Sequence, residues 1–352
     1  MKMIKDTLIV VFALAFVLAA GSFYIKYGDK LKNNDSTALL PNPVKANTSD
    51  DKPFSYPSIF QKDPLINILL IGTDTSLERR SNGVYGFNTD ATILVSIDTQ
   101  TKQVLLTSVP RDLWVNGNKI NALYILSGWD GLKNAYETIT GLEIGGYIMA
   151  DFDSFRWLVT QIGGVNVEIK NSFTDYSFPN YQDTDIEQVS FTEGSELMTA
   201  DRALTYARSR KGTNGEGSDL MRAKRQHLIL QGIVNSFDNP LNTMAKMDIK
   251  EVFEILTKHM STSLTVDDAI YLWDFYAYRN EYNVRSFVLD DKYLYHPGVY
   301  PESTYTAWVF LPRNPTYQDI HDAIKLQLEG KDITEPDISN PSTEQGTETI
   351  TE

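Results

Sequence analysis

The chain contains no cysteine. That excludes disulfide frameworks, zinc–thiolate sites, thiol catalysis and a lipoprotein anchor. Histidine is scarce: His227, His259, His296 and His321 are the four, and none is spaced from another like a metal-ligand pair. Histidine-based zinc or triad chemistry is therefore disfavoured. Positive charge is also short, with 32 Lys and Arg against 46 Asp and Glu and a net of -14. Such a chain is a poor general partner for nucleic acid, and none is expected. Any anion it binds has to meet a local basic cluster.

What is present is apolar surface in quantity: 42% hydrophobic residues and nineteen tyrosines in 352 positions, enough for one large domain. The longest uncharged run is Thr7–Ile25, nineteen residues between Asp6 and Lys26. A helix of about 20 residues spans the hydrocarbon core. The same run also fits a cleaved signal peptide, because Ala19-Ala20-Gly21 resembles a small-residue cleavage site. We take it as a retained single-pass anchor over 7–25 with residues 1–6 as a cytoplasmic stub. The lysines flanking it on both sides do not decide its orientation. Residues 26–62 read as a disordered linker and 332–352 as a disordered acidic tail, since neither has an apolar period. The folded part is expected over 63–331.

Within it, Asn67–Thr73, Ala91–Ile97 and Val104–Val109 read as strands, the last two as a hairpin. Helices are expected over Gly131–Thr140, Ser154–Ile162, Thr199–Leu204, from Ser218 or Asp219 to Phe237, and near 249–260 and 266–279. Tyr147–Phe152 and Val165–Ile169 read as strands, and Tyr206–Arg210 as extended. The mixture predicts an α/β (mixed α+β) domain with a central mixed sheet flanked by helices.

The chemistry-bearing residues are arginines and aspartates. If Tyr206–Arg210 is extended, Arg208 and Arg210 project from one face and repel unless an anion lies between them; they also fit two solvated surface residues. On the following helix Arg222, Arg225 and Gln226 share a face with Ile229 and Ile233, so the arginines sit on the buried side near the N-terminus. Cations there oppose the helix dipole, but free N–H groups at the same end hold anions. Simple pairing with Asp219 and nearby carboxylates is the bland alternative. Asp74 follows one strand and Asp90 begins another, so both lie at a sheet edge. Two carboxylates without histidine favour a hard cation such as Mg2+, unless both are turn or cap residues. Arg111 and Asp112 end the third strand.

These stretches together are recognisable. NILLIGTD, TDATILVSID, SVPRDLWV, KINALYILSG, DFDSFRWLVTQIGGVNVEI, LTYARSRK and DLMRAKRQHLILQGIV, in that order over roughly 65–330, resemble the LytR-CpsA-Psr family of wall-glycopolymer transferases. The resemblance implies Mg2+ on Asp74 and Asp90. It implies Arg111 and Asp112 beside Asp90 in the catalytic centre, and a pyrophosphate held by Arg111, Arg208, Arg210, Arg222 and Arg225, with Lys119, Asn121 and Gln226 lining the site. It implies a polyprenyl-pyrophosphate-linked glycan donor, peptidoglycan or another wall glycan as acceptor, and a domain outside the cytoplasm on the cell membrane. The apolar segments 142–169 and 226–237 would line a lipid tunnel or serve as ordinary core. Two departures stand close to the chemistry. Asn88 replaces an expected arginine before Asp90, with Arg79 or Arg80 as substitutes, and Ala122 replaces an expected histidine. They keep two other readings open, a lipid-pyrophosphate pyrophosphatase and a non-catalytic polyprenyl-phosphate-binding envelope regulator. Oligomeric state is not legible.

Overall fold

The structure is a computed structural model and describes residues 63–76, 81, 88–180, 185–236, 256–277, 281–297, 299–300 and 307–333. The expected anchor, the linker and nearly all of the tail lie outside those residues, as do Arg79 and Arg80. Among the described residues no helix is long and apolar enough to cross a membrane.

The first three strands form because each is a short run of β-branched and leucine residues that can be buried on both faces. They are β1 (Leu65–Thr73), β2 (Thr89–Asp98) and β3 (Gln103–Ser108), paired antiparallel in sequence. A two-residue ribbon, β4 (Trp114–Val115) with β5 (Asn118–Lys119), leads into helix α1 (Leu123–Thr140). Then come β6 (Gly146–Ala150), α2 (Phe152–Gln161) and β7 (Val165–Ile169). A hairpin of β8 (Phe173–Pro179) and β9 (Ile186–Phe191) follows, then β10 (Gly194–Met198), α3 (Ala200–Arg208) and α4 (Asp219–Ser236). The described part closes with β11 (Ser261–Thr262), α5 (Val266–Ala277), β12 (Asn283–Val288) and α6 (Gln318–Leu328).

The main sheet has the order β11-β6-β1-β2-β3-β12. β6 runs parallel to β1 and β12 parallel to β3, so four strands point one way, with β2 and β11 reversed. Period-two alternation divides its side chains between two cores. Ile66, Ile68 and Leu70 face one core with α2, α3, α4 and α5; Leu69 and Ile71 face the other with α1 and α6. This is the expected mixed sheet between helical layers. The expected strand Tyr147–Phe152 ends earlier, at Ala150, because Asp151 caps α2: its Oδ1 accepts from the Ser154 amide at 2.8 Å. Packed chain also continues past the expected boundary at 331, since Ile333 lies against the α1–α6 core.

α4 fixes the site. Gly232 brings it so close to β7 that a Cβ there would lie 2.4 Å from the Asn166 carbonyl oxygen. His227, buried on the same helix, bonds Ser108 on β3 (Nε2, 2.8 Å) and Ser286 on β12 (Nδ1, 2.5 Å). These contacts set the start of α4 over the ends of β2 and β3.

Candidate functional site

A cavity of about 1230 Å³ opens at the carboxyl edge of the parallel strands, the edge where open α/β sheets usually place ligands. Its lining is largely apolar, with Leu70, Ile93, Phe152, Phe155, Ile229 and Leu230 among the residues, so both segments expected to border a tunnel contribute. The same lining carries charge. Asp74 and Asp90 come from β1 and β2, Arg111 and Asp112 from the turn after β3. Arg208 and Arg210 come from the end of α3 and beyond, Asp219, Arg222 and Gln226 from α4.

Four of the five expected arginines meet here. Arg111 donates from Nη1 to Asp90 Oδ2, and its Nε lies 3.6 Å from both Asp112 and Asp219. Arg222 donates to the Asp90 carbonyl oxygen (3.1 Å) and to Asp219 (3.4 Å); Arg210 donates to Asp219 at 2.7 Å. The Nε groups of Arg111 and Arg222 are buried with no hydrogen-bond acceptor among the described residues. Burial pulls the Arg111 pKa down, but Asp90, Asp219 and Asp112 more than offset it and leave it raised. Burial holds that of Arg222 below its ordinary value; Asp219 opposes the shift, whereas Arg111 and Arg210 add to it. The guanidiniums therefore repel one another across the cavity. Arg208 stacks on Phe152 and Phe178, 4.7 and 5.3 Å from the ring centres. It sits at the last position of α3, not in extended chain. The helix runs through Tyr206 because that ring packs against Phe191 and Phe173, and the chain turns out only at Ser209.

Arg225 is not brought to the cavity. It shares the buried face of α4 as expected but is 1% exposed and turns the other way. Its guanidinium donates to the carbonyls of Tyr206, Glu216 and Ser209, and pairs with the Glu216 carboxylate at 2.7 Å. It holds the α3–α4 connection together. Gln226 lines the cavity and reaches the Ala207 carbonyl at 3.4 Å. Lys119 and Asn121 serve the aspartates: Lys119 donates to Asp112 at 2.6 Å and Asn121 to Asp90 at 3.1 Å.

Asp74 and Asp90 are neighbours across the sheet edge. β1 and β2 pair through Gly72 and Ala91, the register shifts at Thr73, and the Asn88 carbonyl accepts from the amides of both aspartates at 3.0 Å. Among the described residues no group of three or more His, Asp or Glu is arranged to hold a metal. Two carboxylates on one cavity wall still fit Mg2+, which takes one or two protein carboxylates and fills its shell with water and phosphate oxygens. The departures are visible too. Asn88 contributes its backbone, and Ala122 ends a single 3-10 turn before α1.

Asp175 was not legible as a site residue. It is 1% exposed and accepts from Ser209 Oγ (2.7 Å) and from the amides of Ser177, Arg210 and Lys211. Burial raises its pKa, but these four bonds outweigh it and hold the carboxyl below its usual range. It thereby shapes the loop that presents Arg210. Nothing in an isolated Asp on a strand announces a partner 34 positions away.

This is an α/β protein whose cavity lining combines apolar side chains with guanidiniums and carboxylates. The LytR_cpsA_psr family model matches residues 25–324, and the chain belongs to that family. It is 25% identical over 356 residues to the polyisoprenyl-teichoic acid–peptidoglycan teichoic acid transferase TagV of Bacillus subtilis, covering 98% of this chain and 82% of that one. It is 26% identical over 276 residues to the Bacillus subtilis transferase TagU, with 77% and 81% covered. The fold matches the crystal structure of Bacillus subtilis TagV with a TM-score of 0.54 at 20% identity, over 76% of this chain and 98% of that one. It matches TagT bound to LIIa-WTA with a TM-score of 0.54 at 20% identity, over 78% and 96%.

Proposed function

We propose that this chain is a membrane-anchored, extracytoplasmic phosphotransferase that moves a glycopolymer from a polyprenyl-pyrophosphate carrier to a peptidoglycan hydroxyl. The observation that carries this is the convergence of Arg111, Arg208, Arg210 and Arg222 on a cavity of about 1230 Å³ whose lining also includes Leu70, Ile93, Phe155, Ile229 and Leu230. The planar fork of a guanidinium matches phosphate oxygens, and an apolar lining suits a lipid chain. The names of the relatives point the same way.

In the reaction the acceptor hydroxyl oxygen attacks the glycan-bearing phosphorus and gives up its proton to solvent water. The bond to the bridging oxygen breaks, and polyprenyl phosphate leaves with the charge. Arg111, Arg222, Arg210 and Arg208 stabilise that charge, the kind of preorganised contribution worth roughly 10²–10³ in rate per donor. Mg2+ on Asp74 and Asp90 would neutralise pyrophosphate oxygens when bound. Asp112 is 6% exposed and already engaged by Lys119, which favours a positioning role for Arg111 and Lys119 over proton acceptance.

The test uses the full chain in detergent with a lipid-pyrophosphate disaccharide donor, Mg2+ and peptidoglycan. Polyprenyl phosphate should appear only with acceptor present, alongside a new phosphodiester on the glycan. Arg222→Ala and Asp90→Ala should each abolish most turnover, and chelation should reduce it. Release of polyprenyl phosphate without acceptor would identify a pyrophosphatase, and binding without product a regulator. Unchanged turnover in both variants would refute the site.

A further inference from the structure

Trp308 is half exposed at 50%, although large aromatic rings usually bury most of their surface. It lines the same cavity as Arg111 and Asp112. Behind it the ring is supported: His296 lies 4.5 Å and Phe310 4.6 Å from it, centre to centre. The support is tied to the phosphoryl site through the backbone. The Phe310 amide donates to the Asp112 carbonyl and its carbonyl accepts from the Trp114 amide, both at 2.9 Å. Two carboxylates, Asp290 and Asp291, line the cavity where the chain leaves β12, the strand beside β3. Arg313 pins this corner by donating to the Asp291 carbonyl at 2.7 Å.

We infer that this corner is a saccharide subsite: a pyranose ring of the acceptor glycan stacks on the exposed face of Trp308, and its hydroxyls donate to Asp290 and Asp291. A rigid aromatic face packs against the C–H face of a sugar through dispersion and weak C–H contacts, and carboxylates are strong acceptors for the outward hydroxyls. Neither chemistry suits the lipid arm of the donor, which has the dry wall near Leu70 and Ile229 available. A bilayer surface is also disfavoured, because seating this side of the cavity in it would desolvate the Asp290 and Asp291 carboxylates that line it. The inference deepens the transferase reading by assigning the acceptor side of the same cavity. It rests on that reading for the identity of the sugar.

The experiment titrates the full chain in detergent with chitotetraose, a bare N-acetylglucosamine oligomer, by calorimetry and tryptophan emission. Saturable binding is expected, weakened roughly tenfold or more in Trp308→Ala, reduced in Asp291→Asn and largely kept in Trp308→Phe. Thermal melts of the same variants check that the fold is intact, and Trp308→Phe retains an aromatic support for Phe310. Absence of saturable binding to the unaltered chain overturns the inference, as does equal affinity in Trp308→Ala. So does a Trp308→Ala defect confined to flotation with phosphatidylglycerol vesicles. A parallel titration with farnesyl pyrophosphate, read in Arg222→Ala, keeps the two proposals apart. Saccharide binding without pyrophosphate binding sinks the transferase reading and leaves the subsite; the reverse sinks only the subsite.

Discussion

Arg225 and Arg222 lie three residues apart on one helix and should behave as opposites. Arg225 is enclosed: its side chain is 2% exposed, that of its partner Glu216 is 5%, and three backbone carbonyls depend on it. Arg225→Met would leave a carboxylate and those carbonyls buried without donors. Removing one member of a buried ion pair costs ~3–5 kcal/mol. At roughly 2–4 °C per kcal/mol for a domain of this order of size, the melting temperature should fall by about 10 °C. Removing Glu216 as well, in Arg225→Met with Glu216→Leu, should recover only part of the loss, since it removes the unpaired carboxylate but leaves the three carbonyls without their donor. Among the described residues Arg222 makes two hydrogen bonds, and Asp219 keeps Arg111 and Arg210 when it is removed. Arg222→Ala should cost about 1 kcal/mol in stability but should lose farnesyl pyrophosphate binding by calorimetry. Urea denaturation and calorimetry on the four proteins separate the two roles. If Arg225→Met melted like the unaltered chain and lost pyrophosphate binding as Arg222→Ala does, the assignment of Arg225 to the fold would be wrong.

Three further outcomes follow from buried groups. His227 is neutral in the fold, its pKa pushed from 6.5 down to about 4 by burial. Its contribution is full above about pH 6.5 and is lost as pH falls toward 4, by up to roughly 3 kcal/mol, and urea denaturation of His227→Gln should show that slope removed. The Asp175 pKa is depressed, so its contribution is present above the ordinary carboxylate value near about 4 and disappears as pH falls through the lower folded value. Asp175→Asn should abolish that acid dependence in denaturation curves and weaken pyrophosphate binding through the Arg210 loop. Gly232→Ala should destabilise by ~1–3 kcal/mol through overpacking against β7, although alanine is normally the better helix former by about 1 kcal/mol; a raised melting temperature would refute the close approach.

The parts of the fold legible beforehand were those where local pattern and tertiary role coincide. β1, β2 and β3 are apolar runs with polar ends, and the sheet buries them on both faces. The α4 stripe of Arg222, Arg225, Ile229 and Ile233 is buried as its spacing indicates. β12 was not assigned, because Asn283–Val288 mixes polar residues with apolar ones at the sheet edge and gains its ladder only from β3. Arg225 shows a finer limit. Spacing places a residue on a helix face, but a long side chain can leave that face toward either end. Only the position of Glu216, nine residues earlier in a loop, decides its direction. Arg208 shows the converse: the expected strand geometry was wrong, yet the residue still lines the cavity, because the end of a helix and the end of a strand can present a side chain to the same place.

The charge of the cavity bears on the proposed Mg2+. Its lining includes five cationic side chains, Arg111, Arg208, Arg210, Lys211 and Arg222, and eight carboxylates, Asp74, Asp90, Asp112, Asp151, Asp175, Asp219, Asp290 and Asp291. Five minus eight leaves a net of -3 before a ligand enters. A pyrophosphate diester would add roughly two more negative charges, in surroundings where charges are weakly screened. Some carboxylates are already spent on internal donors: Asp175 on its four bonds, Asp112 on Lys119, and Asp219 on three arginines. Asp90 is partly engaged by Arg111 and Asn121. The arginines are therefore not a free positive surplus; their attraction for phosphate competes with the aspartates that hold them in place. Under the proposed function a divalent cation on Asp74 and Asp90 would change that balance, because it would convert them from groups that repel the pyrophosphate into groups that hold its counter-ion. On this reading the aspartates serve two needs at once. They neutralise mutually repelling guanidiniums within the fold, and they would make anion binding conditional on Mg2+, so that chelation should weaken pyrophosphate binding itself and not only the rate that follows it.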